Sequence, residues 1–159
     1  MVTGPIQHPV AAFPIGEPAV LRAARRQRVR LLREIHSFEQ ALASPAGDPD
    51  WRPRVTLRLS GLRGEFAEHV RLTEGRDGLF AELLDRAPRL SRNVHVLLRE
   101  HAAVAAVLSA LQRRAELPEA TAEELRSWAG DLLRELSRHR QRGADLVYRA
   151  YGTDIGAPA

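Results

Sequence analysis

Histidine is the residue type in this chain whose placement suggests chemistry, with six copies among 159 residues. His36, His69, His101 and His139 fall one in each of four segments that read as helices. The last three sit in the middle of an apolar stripe, while His36 lies at the margin of one, a turn after Leu32. A single histidine in such a stripe is ordinarily a core residue satisfied by a hydrogen bond. Four buried imidazoles without a common partner would each be desolvated at a cost. A divalent metal ion removes that cost, because neutral imidazole is its commonest protein ligand. The four are therefore expected to converge on a metal. His8, in a proline-rich start, and His95, off the stripe, are expected to face solvent.

The segments that must position these residues are legible in the punctuation of the chain. Residues 1–18 carry Pro5, Pro9, Pro14 and Pro18 with Gly4 and Gly16, and are expected to form a flexible tail. Nothing then breaks a helix until Ser44-Pro45-Ala46-Gly47-Asp48-Pro49, which reads as a turn. A second helix is expected to start at Asp50 as N-cap, with Pro53 in its first turn. Its stripe runs Val55, Leu59, Leu62, Phe66, His69 and Thr73, in steps of four and three. Gly75 and Gly78 predict a kink before residues 79–84 resume the helix. The third helix is predicted from Pro88 or Ser91 to about Ala115, with Val94, Leu97, His101, Val104, Leu108 and Leu111 inward. Leu117-Pro118 breaks it, and Thr121 with Glu124 fits a capping box that opens the fourth. That helix carries Leu125, Leu132, Leu136, His139 and Leu146, and residues 151–159 read as a second tail.

Four helices joined by short connections predict an all-α fold, an antiparallel up-down-up-down four-helix bundle over residues 19–150. A weak internal echo pairs the first helix with the third and the second with the fourth. Leu31-Leu32-Arg33-Glu34-Ile35-His36 matches Leu97-Leu98-Arg99-Glu100-His101, and Glu65 to His69 matches Glu135 to His139.

In this arrangement the chain resembles the hemerythrin-like (HHE cation-binding) family. That family repeats, twice over, a helix bearing one His and then a helix bearing His followed closely by a carboxylate. His36 takes the first part, His69 with Glu74 the second, His101 in Glu100-His101 the third and His139 the fourth. The resemblance covers about residues 20–150. It departs from the family pattern at three places. The usual His-x3-Glu is here His69-x4-Glu74, and five residues along a helix rotate a side chain about 140° away from the His face. Gly143 and Ala144 stand where the fourth helix should carry an acid, with Asp145 one step beyond. Ala105 occupies the position four after His101, where a second His is expected. The resemblance therefore implies a reduced di-iron or single-metal site with His36, His69, Glu74, His101 and His139 as ligands. Iron is expected, one or two ions, with manganese or zinc as alternatives. Glu65 and Glu135, each a turn before a His, are further candidates as ligands or outer acceptors, alongside the plainer reading of solvated or ion-paired carboxylates.

Composition bounds the function. The absence of cysteine excludes disulfides, thiolate metal sites, iron–sulfur clusters and cysteine nucleophiles. All 24 basic residues are arginine, and the net charge is only +4, which argues against nucleic acid as a partner. Arg22, Arg26, Arg30 and Arg33 do share one face of the first helix, a surface an acidic partner could read. No apolar run approaches the roughly 20 residues of a membrane span, and the start does not read as a secretory signal. A bacterial cytoplasmic protein is expected, with homo-oligomerisation open. The resemblance implies chemistry around dioxygen, nitric oxide or peroxide. A binding or sensing protein is the first reading; a non-haem iron oxidase or oxygenase, or an interaction module acting through the first helix, are the alternatives.

Overall fold

The computed structural model describes residues 17–152; of the predicted tails at residues 1–18 and 151–159, residues 1–16 and 153–159 lie outside the described residues, and Tyr151 belongs to the last helix. The described chain is all-helical, with four long helices and no strand among the described residues. They are α1 (Ala19–Ala43), α2 (Trp51–Glu74), α4 (Ser91–Ala115) and α5 (Ala122–Tyr151), with a short α3 (Leu79–Arg86) and a 3-10 turn (Pro88–Leu90) between the second and third long helices. In the chain, α1 packs chiefly on α2, α2 on α4, and α4 on α5.

Each long helix buries one stripe. In α1 it is Leu21, Ala24, Gln27, Leu31, Ile35 and Phe38, in steps of three and four. Gln27 is the only polar member of that stripe. The largest apolar cluster gathers Phe38, Leu59, Leu62, Phe66, Leu108, Leu132 and their neighbours. Two smaller clusters, one around Leu83 and Val94 and one around Leu21 and Leu79, occupy the other part of the core. His101 falls between Leu97 of one cluster and Val104 of another, and His139 falls between Leu136 and Leu146 in the same way. The histidines thus form a polar layer between two dry regions.

Helix ends are held by specific groups. Glu124 N–H donates to Thr121 Oγ at 3.1 Å and Thr121 N–H to Glu124 Oε1 at 3.2 Å, the predicted capping box. At the start of α2 the cap differs from expectation. Asp50 makes no side-chain cap bond, and Asp48 instead accepts the Asp50 N–H at 2.9 Å. The last carbonyls of α1 are met by Arg126 of α5, which donates to Leu42 O and Ser44 O, each at 2.9 Å. Arg52 of α2 likewise serves Ala115 O, Leu117 O and Ala120 O beyond the end of α4.

The predicted kink after His69 is a full break. α2 stays helical to Glu74, and Gly78 N–H then donates to Gly75 O at 2.8 Å to close a tight turn. A Cβ on Gly78 would lie 2.7 Å from Thr73 O and 2.8 Å from Gly75 O, so only glycine fits this turn. The turn swings α3 back over the core and sets Phe80 beside His101.

The stretch Pro88–Ala115 is long and apolar enough by length and composition alone to cross a membrane, with 33% of its most apolar window buried. The expectation that no run reaches that length fails here because alanines fill the outer face of α4. The helix nevertheless carries Arg99, Glu100 and His101 at its centre, and its inward stripe packs within the bundle.

Candidate metal centre

Three of the four predicted histidines meet. His69 comes from α2, His101 from α4 and His139 from α5, and one ligand atom from each lies within 4.8 Å of the others. His69 Nε2 is 3.1 Å from His101 Nε2 and 3.1 Å from His139 Nε2. The rings stand nearly perpendicular, at 84° and 90° to the His69 plane. Edge-on rings of this kind aim their nitrogen lone pairs at one point instead of stacking.

The opposite nitrogen of each ring is already occupied. His69 Nδ1 lies 3.2 Å from Gln27 Oε1, His101 Nδ1 lies 3.1 Å from Glu74 Oε2, and His139 Nδ1 lies 3.1 Å from Glu100 Oε1. All three partners are oxygen acceptors, so each Nδ1 carries the proton and donates. Each Nε2 is left as a lone pair. With the protons so assigned, the lone pair of His69 Nε2 faces those of His101 and His139 at 3.1 Å, and a cation between them would relieve the repulsion. That is the donor arrangement of a metal tripod with its outer acceptors in place. A metal–nitrogen length of about 2.0–2.1 Å gives nitrogen separations of about 3.3 Å in a tetrahedron and about 2.9 Å in an octahedron. Two of the three separations, at 3.1 Å, lie between these, and the third pair lies within 4.8 Å, a cluster that could hold a metal ion.

The acceptors are themselves braced. Gln27 Nε2 donates to Glu65 O at 3.1 Å and to Glu65 Oε2 at 3.3 Å, which fixes its amide so that the oxygen faces His69. Arg30 pairs with the same Glu65 at 3.3 Å. Arg142 pairs with the second oxygen of Glu100. Beneath the tripod, Phe66 packs against all three imidazoles, with ring centroids 5.7, 5.8 and 6.2 Å away. Phe80 stacks on His101 at 5.7 Å with 12° between the planes.

This environment keeps the imidazoles neutral. Burial pushes His101 down to about 3, helped by the neighbouring His69 and His139. Burial lowers His69 to about 3 as well, with His139 adding to the effect, and lowers His139 to about 4. Burial also raises the Glu74 carboxyl above its ordinary value. A neutral imidazole is the form that binds metal, so no proton competes for the site near neutrality. The same shifts set the acid stability of the metal-free protein. Between about pH 3 and 6.5 the unfolded chain binds protons that the folded chain refuses, so stability is complete above the unfolded histidine value and falls as pH drops below it. At pH 5 the loss should be on the order of 1–2 kcal/mol for each imidazole. Urea melts of metal-free protein at pH 7 and pH 5 should show it; equal midpoints would mean that the histidines titrate normally.

Two predicted ligands take other positions. His36 is exposed and outside the cluster. Ile35 holds the inward position, and one residue turns the side chain about 100° away. His36 also lies nine residues beyond Gln27, the residue through which α1 does reach the site, or about 13 Å along the helix axis. Glu74 reaches the site from behind, as the acceptor for His101 and not as a member of the converging set. Because α2 stays regular to its last residue, the 140° offset is never undone. Glu65 serves Gln27, Glu135 pairs with Arg138 on the surface, and Asp145 accepts from Gln141. No carboxylate joins the histidines among the described residues.

Two members of the site escaped sequence reading. Gln27 is 2% exposed in the apolar stripe of α1, and a polar residue at a stripe position was its only signal. Glu100 was visible only as a neighbour of His101, but adjacent residues on a helix diverge by about 100°, which aims it at the next helix. Its outer role makes a measurable claim. Glu100→Gln keeps an oxygen acceptor but removes the charge, and Glu100→Ala removes both. Metal affinity is expected to fall about 10- to 100-fold in Glu100→Ala and by less in Glu100→Gln, by competition with a chelating dye. Unchanged affinity in both would deny Glu100 this role.

Comparison with known proteins returns no match to a family model, to a curated protein or to a solved structure.

Proposed function

We propose that this chain is a metal-binding protein that holds a single divalent ion on Nε2 of His69, His101 and His139, and that the ion is iron. The observation that carries the proposal is the pairing of three converging Nε2 lone pairs with three Nδ1 protons already donated to Gln27, Glu74 and Glu100. The 3.1 Å Nε2–Nε2 contacts would serve as N–H···N hydrogen bonds only if a ring gave up its Nδ1–H···O bond. The bundle in this reading is an up-down-up-down, hemerythrin-like one, supported by the helix order and by one histidine on each of the second, third and fourth long helices. Its departure from the hemerythrin pattern is also informative. With three nitrogen ligands and no carboxylate bridge, one ion is favoured over two.

Three protein ligands leave coordination positions free. Iron bound there would offer them to dioxygen, nitric oxide or peroxide, and a carrier or sensor of such a ligand is the function we infer. The chain's own residues would hold the imidazoles neutral, fix their orientation and keep bulk water from one side through Phe66 and Phe80. A cavity of about 60 Å³ that touches His69 and His139 favours a second reading, in which the same centre acts on a small organic molecule.

The test is metal content after anaerobic loading with ferrous iron, zinc or manganese, followed by desalting. One ion per chain is expected. Two per chain would favour a dinuclear site, and none would reduce the site to a hydrogen-bonded core. Reversible oxygen-dependent colour in the iron form would mark a carrier. Oxygen consumption only with an added reductant or substrate would mark an enzyme.

A further inference from the structure

The cavity beside the imidazoles has an uneven lining. Leu31, Leu72, Leu79, Phe80 and Val147 make most of it apolar, but Arg28 of α1 and Arg140 of α5 line it as well. Neither guanidinium makes an ion pair among the described residues, and Nε of Arg140 is buried with no hydrogen-bond partner. Glu39 is the acidic group whose field reaches Arg140, and it is exposed. Both arginines are half-buried, so water meets part of each guanidinium, but the unmet Nε of Arg140 costs free energy unless a ligand answers it.

Gly143 and Ala144 are the smallest residues of α5 that line it. Gly143 lies inside α5, two turns before its end, where glycine costs about 0.5–1 kcal/mol relative to alanine. A Cβ there would meet nothing within 4 Å, so no packing constraint requires the glycine. Its effect is to leave the cavity open.

We propose that this cavity binds a small monocarboxylate with a short aliphatic tail. The carboxylate accepts from Arg28 and Arg140, and the tail lies between Leu31, Leu72 and Val147 with its end toward His69 and His139. A guanidinium pair answers a carboxylate by charge-assisted hydrogen bonds, which neutral or cationic ligands of the same shape cannot make. At about 10–15 Å³ per water site, the cavity suits a tail of about three carbons. Butyrate is therefore the probe. The inference goes beyond the metal reading without depending on it, because the cavity and both arginines exist whether or not an ion is bound.

Titration calorimetry with butyrate, butanol and butylamine on metal-free and metal-loaded chain tests it. Butyrate should bind saturably to both forms, and butanol and butylamine at least tenfold more weakly. Arg140→Gln should weaken butyrate about tenfold, and Gly143→Leu, which fills the space, should abolish binding while leaving the helical melt intact. Ala144→Val serves as the filling variant if Gly143→Leu does not fold. No butyrate binding by the unaltered chain overturns the proposal, and so does equal binding of butanol or indifference to Arg140→Gln. A chain that binds butyrate but no metal keeps this inference and loses the metal reading, and a chain that binds metal but no butyrate does the reverse.

Discussion

His139→Ala should reduce metal binding from one ion per chain to none that survives desalting. The loss should exceed the 10- to 100-fold typical of an outer partner, because a donor atom itself is removed. His139 is 2% exposed and its Nε2 lies 3.1 Å from that of His69, so no water-filled rearrangement supplies a ready substitute. Two imidazoles then remain, and no carboxylate belongs to the converging set among the described residues. His36→Ala is the control. It removes the histidine of α1 that the sequence pattern favours but the geometry leaves outside, and metal affinity should not change. If His36→Ala abolished binding while His139→Ala did not, the tripod would be the wrong site.

The second large effect is expected at Phe66. Its ring is 2% exposed, lies one turn before His69 on α2 and contacts all three imidazoles. Phe66→Ala should cost about 3–5 kcal/mol through lost burial and the cavity it leaves. For a domain of this size the melting temperature should drop by on the order of 10 °C. Metal affinity should fall with it, since the rings lose the surface that holds their common orientation. Phe66→Leu, which restores most of the volume, should recover most of the stability but less of the affinity. If both variants bound metal as tightly as the original chain, Phe66 would be packing alone.

Much of this was readable in the residues, and the failures have physical causes. The four long helices follow from the three-and-four spacing of Leu, Val and Phe and from the Pro–Gly turns, and the Thr121–Glu124 capping box appears as predicted. His69, His101 and His139 were legible because each stands at a stripe position that an aliphatic residue would otherwise fill. His36 misled because a place at the stripe's margin looks like a place in it until Ile35 is seen to hold the inward side. Glu74 resembles a ligand in the sequence because chain spacing reports which helix face a carboxylate leaves and not which neighbouring helix it meets. Gln27 is illegible in the sequence for a related reason. Its chemistry depends on a partner 42 residues away, and no local pattern encodes that distance.

The outer acceptors follow the order of the chain. Gln27 of α1 supports the histidine of α2, Glu74 at the end of α2 supports that of α4, and Glu100 of α4 supports that of α5. Each of the first three long helices thus holds in place the donor carried by its successor, and the first and last donors are 70 residues apart. A nascent chain that has finished three helices has neither the final imidazole nor any use for Glu100. If the centre binds a cation as proposed, capture belongs to the chain whose last three long helices have come together, with Gln27 of α1 orienting the first donor.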